Sequence, residues 1–356
     1  MNKFFTILLI ICITSLQAQH TISGNFSPAN EYSYLIAYHL KPSGQSYVAD
    51  TGIKEGSFQL NMPENAPTGT YRMVYAVPQD EFYFDILYTG NEDVSFNFNI
   101  DQGVMFTRSK ENILFSTYFN EINEIELEII RLYSLRTADQ SQLIKIFKKY
   151  HSVQKMYENK SKNSLVGHFI KANRSYVPDT YEPVLDFVKK REESYFKHLD
   201  ATNPILQSSG FLTDKISNYV FTALPLKKLT KIETEAILKS NIDVVASQVD
   251  SASDAYSFNL FQDLWKNISK QGYYDTATYL LDNYIKKLPV AVNNQEAITQ
   301  METELRLRIG ATAPEITWKK QKNLKKLSEL VGSEHYVLVF WSSTCGHCLK
   351  EVPALH

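Results

Sequence analysis

The stretch that decides the reading of this chain is YVLVFWSSTCGHCLKEVPALH, residues 336–356. Tyr336–Trp341 is an unbroken apolar run, the pattern of a strand covered on both faces. A short polar link leads to Cys345 and Cys348, with Gly346 and His347 between them. The pattern predicts a helix that begins at Cys345. A sulfur there meets amide N–H groups that have no partner inside the helix, at the positive end of its dipole. Both effects favour thiolate over thiol. Cys348 follows one helical turn later on the same side. The first sulfur is then placed to attack a disulfide, and the second to resolve the mixed disulfide that results. His347 stabilises the reduced, charged pair, which makes the couple more oxidising.

Other uses of two close cysteines fit less well. A structural zinc site takes four protein ligands. His335, His347 and His356 are the nearby candidates, and His347 is sterically awkward between the cysteines. A purely structural disulfide closing so short a loop constrains little of the unfolded chain. The expected cofactor is therefore none beyond the redox-active Cys345–Cys348 disulfide, with no metal.

The chain has 356 residues, enough for two or three domains, with 37 basic and 39 acidic side chains. That balance gives no reason to expect nucleic acid as a partner. At the N-terminus, Lys3, an apolar run from Phe4 to Ile13, and Ala18 read as a secretory signal peptide over residues 1–18. Its removal takes away Cys12 and leaves only Cys345 and Cys348. An exported protein that uses no disulfide framework keeps one close pair for chemistry or for a metal.

Residues 19–106 read as seven short strands separated by Gly, Pro, Asn and Asp turns, which suggests an antiparallel β-sandwich. Tyr38, His39, Tyr71, Arg72 and Tyr75 are its candidates for a binding face. Ordinary strand roles are the expectation for them, because side chains alternate between faces. Residues 107–304 change to a helical period, marked first by Phe115, Phe119, Ile122, Ile125, Ile129 and Leu132. Helices are expected at about 138–172, 180–199, 231–248, 254–270 and 274–288, with stops at Gln271–Gly272 and Pro289. Glu121, Glu124, Glu126 and Glu128 read as a solvated face. His151, His168 and His198 lack partners at ligand spacing, so structural roles are expected.

From residue 305 the chain resembles the start of a thioredoxin-like domain of the TlpA/ResA type, in the redoxin/AhpC-TSA group of exported thiol–disulfide oxidoreductases. The matching pieces are GATAPEI (310–316), VLVFW (337–341), CGHC (345–348) and KEVP (350–353). The resemblance covers about fifty residues. It implies that Trp341 packs beside the active site, that Glu351 assists proton transfer, and that Pro353 kinks the helix. It implies protein disulfides or dithiols as substrates, a membrane thiol carrier as electron source, and a periplasmic or envelope location in a Gram-negative bacterium. The upstream layout is similar to proteins that carry a β-rich domain of the DUF4369 kind, in pieces such as ISGNF (22–26) and GSFQL (56–60).

Departures qualify the resemblance. Thr344 stands where thioredoxin keeps a Trp, and Val339 where it keeps a buried acid, which shifts proton handling onto Glu351. A Thr before the first cysteine is also a peroxiredoxin trait, but the upstream proline of that motif is missing and a second cysteine follows. The later strands and the cis-proline loop of a thioredoxin fold do not follow within the 356 residues, so the expectation is a C-terminally truncated domain that folds poorly alone and exchanges disulfides weakly. The expected fold is thus multidomain: an antiparallel β-sandwich, an all-α region, and an incomplete α/β thioredoxin-like fold over 305–356. A ligand- or partner-binding envelope protein with a secondary redox tip is the alternative function, and a peroxiredoxin-like antioxidant the more distant one.

Overall fold

The computed structural model describes residues 20–135, 139–308, 310–320 and 323–355. The expected signal peptide and His356 lie outside them. The described residues form two compact units, up to Ile298 and from Thr299.

The first unit opens with eight strands: β1 (Thr21–Ser27), β2 (Tyr34–Lys41), β3 (Gly44–Gly52), β4 (Ser57–Asn61), β5 (Gly69–Val74), β6 (Tyr83–Tyr88), β7 (Val94–Asn99) and β8 (Gly103–Arg108). They form two four-stranded sheets, ordered β4-β1-β7-β8 and β3-β2-β5-β6. Alternation along each strand sends one face inward. Ile22, Phe58 and Phe96 of one sheet and Leu35, Met73 and Ile86 of the other share a single buried core. Aromatic rings fill it, with Phe96 at 5.1 Å from Phe84 and 5.2 Å from Phe58 between ring centres.

Two features depart from the sequence reading. The sandwich is not wholly antiparallel, because β1 and β7 run parallel. Only strands joined by a tight turn must be antiparallel, and five strands separate these two in the chain. The eighth strand was not expected. It is an edge strand whose side chains are half-buried or exposed, so the sequence signal of a core-facing strand is weak there.

The helical part holds α1 (Lys110–Ser134), α2 (Gln140–Lys160), α3 (Leu165–Ala172), α4 (Val184–Glu193), α5 (Pro204–Gln207), α6 (Gly210–Thr222), α7 (Lys231–Gln248), α8 (Asp254–Lys270) and α9 (Tyr274–Asn283), then two 3-10 turns and α10 (Gln295–Leu307). In α1 the buried stripe is Tyr118, Ile122, Ile125, Ile129 and Leu132. Phe115 and Phe119 are only half-buried, because they border a cavity. The single helix expected over 138–172 is two helices. Asn163 takes a left-handed φ of 62°, and α3 then folds back so closely that a Cβ on Gly167 would fall 2.4 Å from the Ser161 carbonyl oxygen. Gln271 caps α8 and Gly272 adopts a φ of 80° after it, as the stop signal implied. The helices α6 and α10 had no counterpart in the sequence reading. α6 has Gly210, Ser217 and Asn218 among its thirteen residues, a composition that hides a helix.

Two acids of the expected solvated face of α1 hold neighbours instead. Glu126 pairs with Arg191 at 2.8 Å, and Glu121 accepts the Tyr157 hydroxyl at 2.9 Å.

The second unit contains α10 from Thr299 onward, a hairpin of β9 (Thr317–Lys320) and β10 (Asn323–Lys326), a 3-10 turn, and α11 (Gly346–Glu351). Its division from the first unit falls between Ile298 and Thr299, within α10. The run Tyr336–Trp341 does not form the expected buried strand. It has no ladder partner among the described residues, and Phe340 is 85% exposed. A strand that is apolar on both faces needs neighbours for its backbone groups and cover for both faces. Among the described residues β9 and β10 pair only with each other.

Candidate functional site

The CGHC segment folds as the cysteine positions suggest. The Cys345 N–H donates to the Ser342 carbonyl at 3.1 Å, closing a turn that feeds into α11. Within that turn the Ser342 and Thr344 hydroxyls lie 2.9 Å apart. Cys345 is the N-cap of α11: its carbonyl accepts from Leu349 N–H at 3.0 Å, and its Sγ accepts from Cys348 N–H at 3.2 Å. That sulfur takes the place an Asp or Ser oxygen occupies at most helix starts.

Cys345 and Cys348 are joined as a disulfide with Cα atoms 5.2 Å apart, and both residues are half-buried. One sulfur pair is therefore reachable from solvent and backed by an amide donor. An N–H aimed at Sγ stabilises the thiolate when the bond is reduced.

The other expected site residues lie close by but are not drawn onto the sulfurs. His347 and Glu351 are exposed, and neither hydrogen-bonds to a cysteine. Glu351 lies three residues after Cys348, one turn along the same helix face. Trp341 is 55% exposed. Pro353, expected to kink the helix, lies in a 3-10 turn, Val352–Leu355, that follows the end of α11 at Glu351. A proline has no N–H for the Leu349 carbonyl, and Val352 before it keeps helical angles, φ −59° and ψ −40°.

The histidines considered as ligands are dispersed. His151 approaches Asp179 at 3.5 Å, and His168 Nδ1 lies 3.2 Å from Asn203 Nδ2. Burial lowers the His198 pKa, with Arg174 adding to the effect. Among the described residues no group of three or more His, Cys, Asp or Glu side chains is placed to hold a metal ion.

The five candidates on the sandwich do not share one face. Tyr71 and Tyr75 are buried between the sheets, and His39 packs on Tyr71 with ring centres 5.1 Å apart. Arg72 points to the opposite, outer face of its sheet. There it binds Asp85, its cross-strand neighbour, through two hydrogen bonds of 2.9 and 3.1 Å. The guanidinium also stacks on Tyr83, 3.7 Å from the ring centre. This ion pair stands at a junction of two cavities, of about 530 and 590 Å³, between the outer sheet face and the helices. The sequence reading named Arg72 but missed its partners. An Arg paired across the strands with an Asp was the available signal.

Comparison with family models, with curated proteins and with solved structures finds no match for this chain.

Proposed function

We propose that this chain is an exported thiol–disulfide oxidoreductase acting on protein disulfides through Cys345 and Cys348, in the reducing direction, and that residues 305–356 belong to a thioredoxin-like domain of the TlpA/ResA type. The observation that supports it is the cysteine pair itself: bonded to each other, half-exposed, and set at a helix start with an amide donor on the first sulfur. No other cysteine follows the expected signal peptide.

In the reduced protein the Cys345 thiolate attacks a substrate disulfide. A bond forms between Cys345 Sγ and one substrate sulfur, and the other leaves as a thiolate that takes up a proton. Cys348 then loses its proton, with Glu351 as the acceptor implied by the resemblance, and attacks Cys345 Sγ. The second substrate thiol leaves, and the Cys345–Cys348 disulfide forms. Two electrons have passed to the substrate. A membrane dithiol carrier returns them by the reverse exchange.

The test is insulin reduction by the reduced full chain against its Cys345→Ser variant. Loss of turnover in the variant is expected, and an unchanged rate sinks the reading. Cys348→Ala should accumulate mixed disulfides with envelope proteins. An empty trap favours the second reading, a ligand-binding envelope protein, which the two cavities beside Arg72 support.

A further inference from the structure

The outer face of the β3-β2-β5-β6 sheet is covered by helices, and the cover is incomplete. The gap next to α1 and α6 is the cavity of about 530 Å³, a volume typical of small-molecule sites. Its apolar wall is made by Phe106, Phe115, Phe119, Phe169 and Phe211. Its polar end is made by Thr70, Arg72, Asp85 and Asp214.

The charges at that end do not cancel. Arg72 is committed to Asp85 by the paired hydrogen bonds described above. Asp214, on α6, has no hydrogen bond and no ion pair among the described residues. It is brought to the ion pair by Gly210: a Cβ there would stand 3.0 Å from Asp85 Oδ2 and 3.4 Å from Arg72 Nη2. Arg72, Asp85 and Asp214 together leave one negative charge facing an aromatic chamber. Desolvation, and then the neighbouring Asp85, raise the Asp214 carboxyl above its ordinary range.

A second observation is independent of the acids. Thr70 is 4% exposed, and its Oγ1 has no hydrogen-bond partner among the described residues. It borders the cavity. A buried hydroxyl left unpaired costs about 1–3 kcal/mol, and a ligand donor would satisfy it. Tyr256, 3% exposed, has an equally unpartnered hydroxyl in the adjoining cavity, which shares Arg72, Tyr83, Gly210 and Asp214. The rings near this junction already face cations. Arg72 lies over Tyr83, and Lys215 Nζ is 5.7 Å from the Phe211 ring centre.

We propose that this cavity is a binding site for an organic cation, a primary ammonium or amidinium group carried on an apolar body. The cation sits against Asp214, the body lies among the phenylalanines, and Thr70 Oγ1 accepts a hydrogen bond from the ligand. An anion of the same shape is refused, because Asp85 and Asp214 outnumber Arg72. The cation is carried either by a free amine or by a lysine side chain of a bound peptide. The site lies wholly in the first unit and does not depend on the redox reading.

The experiment is calorimetric titration of the full chain with phenethylamine, with 3-phenylpropionate as the anionic counterpart and N-acetyl-lysine amide as the peptide-borne source. Phenethylamine should bind and phenylpropionate should not. Asp214→Asn should weaken the amine at least tenfold, with the melting profile monitored. Phe119→Ala should weaken it with the melting profile monitored, and Phe119→Leu should restore part of the loss. Tighter binding of N-acetyl-lysine amide than of phenethylamine assigns the peptide source, and the reverse assigns the free amine. Equal binding of amine and anion, no amine binding at millimolar concentration, or an unchanged affinity in Asp214→Asn overturns the proposal.

Discussion

Asn112 offers the sharpest test of how the sandwich and the helices are joined. It is 2% exposed, in the first turn of α1. Its side-chain oxygen accepts the Leu87 N–H at 2.8 Å, and its amide donates to the Leu87 carbonyl at 2.7 Å and to Ser109 Oγ at 2.8 Å. β6 is an edge strand, so Leu87 offers this peptide pair on the side that β5 does not use. The asparagine thus completes the sheet edge as a neighbouring strand would. Asn112→Ala removes three hydrogen bonds, each contributing about 0.5–1.5 kcal/mol net, and strands a buried N–H and C=O. The expected loss is about 3–5 kcal/mol in the first unit. Urea unfolding followed by circular dichroism measures it, with Asn123→Ala, exposed on the same helix, as the control. Asn112→Asp keeps the acceptor but sets a carboxylate against the Leu87 carbonyl, so it should also lose stability at neutral pH and regain part of it on acidification. A loss in Asn112→Ala below about 1 kcal/mol, no larger than the control, refutes the idea that this side chain fastens α1 to the sheet edge.

Phe96→Ala should cost about 3–5 kcal/mol, because the ring is fully buried at the centre of the aromatic core and its neighbours cannot all collapse into the space; a midpoint shift of surface-mutant size would show that the two sheets do not share that core. Glu233 forms a capping box with Thr230 at the start of α7, and the Thr230 N–H and hydroxyl, helped by Lys227, hold its carboxyl down to about 2 from an ordinary 4.5. A depressed carboxyl stabilises the fold above its unfolded value, so this contribution is complete above about pH 4.5 and fades as pH falls toward 2. Glu233→Gln should therefore flatten the stability slope across that window, and an identical slope would show that the box does not stabilise the charged form.

The sequence by itself determined what depends on neighbours along the chain. Strand alternation marked seven of the eight strands, and the three-to-four spacing of Ile122, Ile125, Ile129 and Leu132 marked the buried stripe of α1. The helix start at Cys345 was equally legible, because capping acts within a few residues.

Tertiary structure decided whatever required segments distant in sequence. The parallel pairing of β1 with β7 depends on a connection through five strands. The failure of Tyr336–Trp341 to form a ladder depends on which strands stand beside it, and no apolar pattern reports that. Arg72, Asp85 and Asp214 meet only because β5 pairs with β6 and because Gly210 lets α6 approach the pair. Local propensity is written in adjacent residues, whereas an unbalanced charge or an unfilled cavity exists only once separate elements have been brought together.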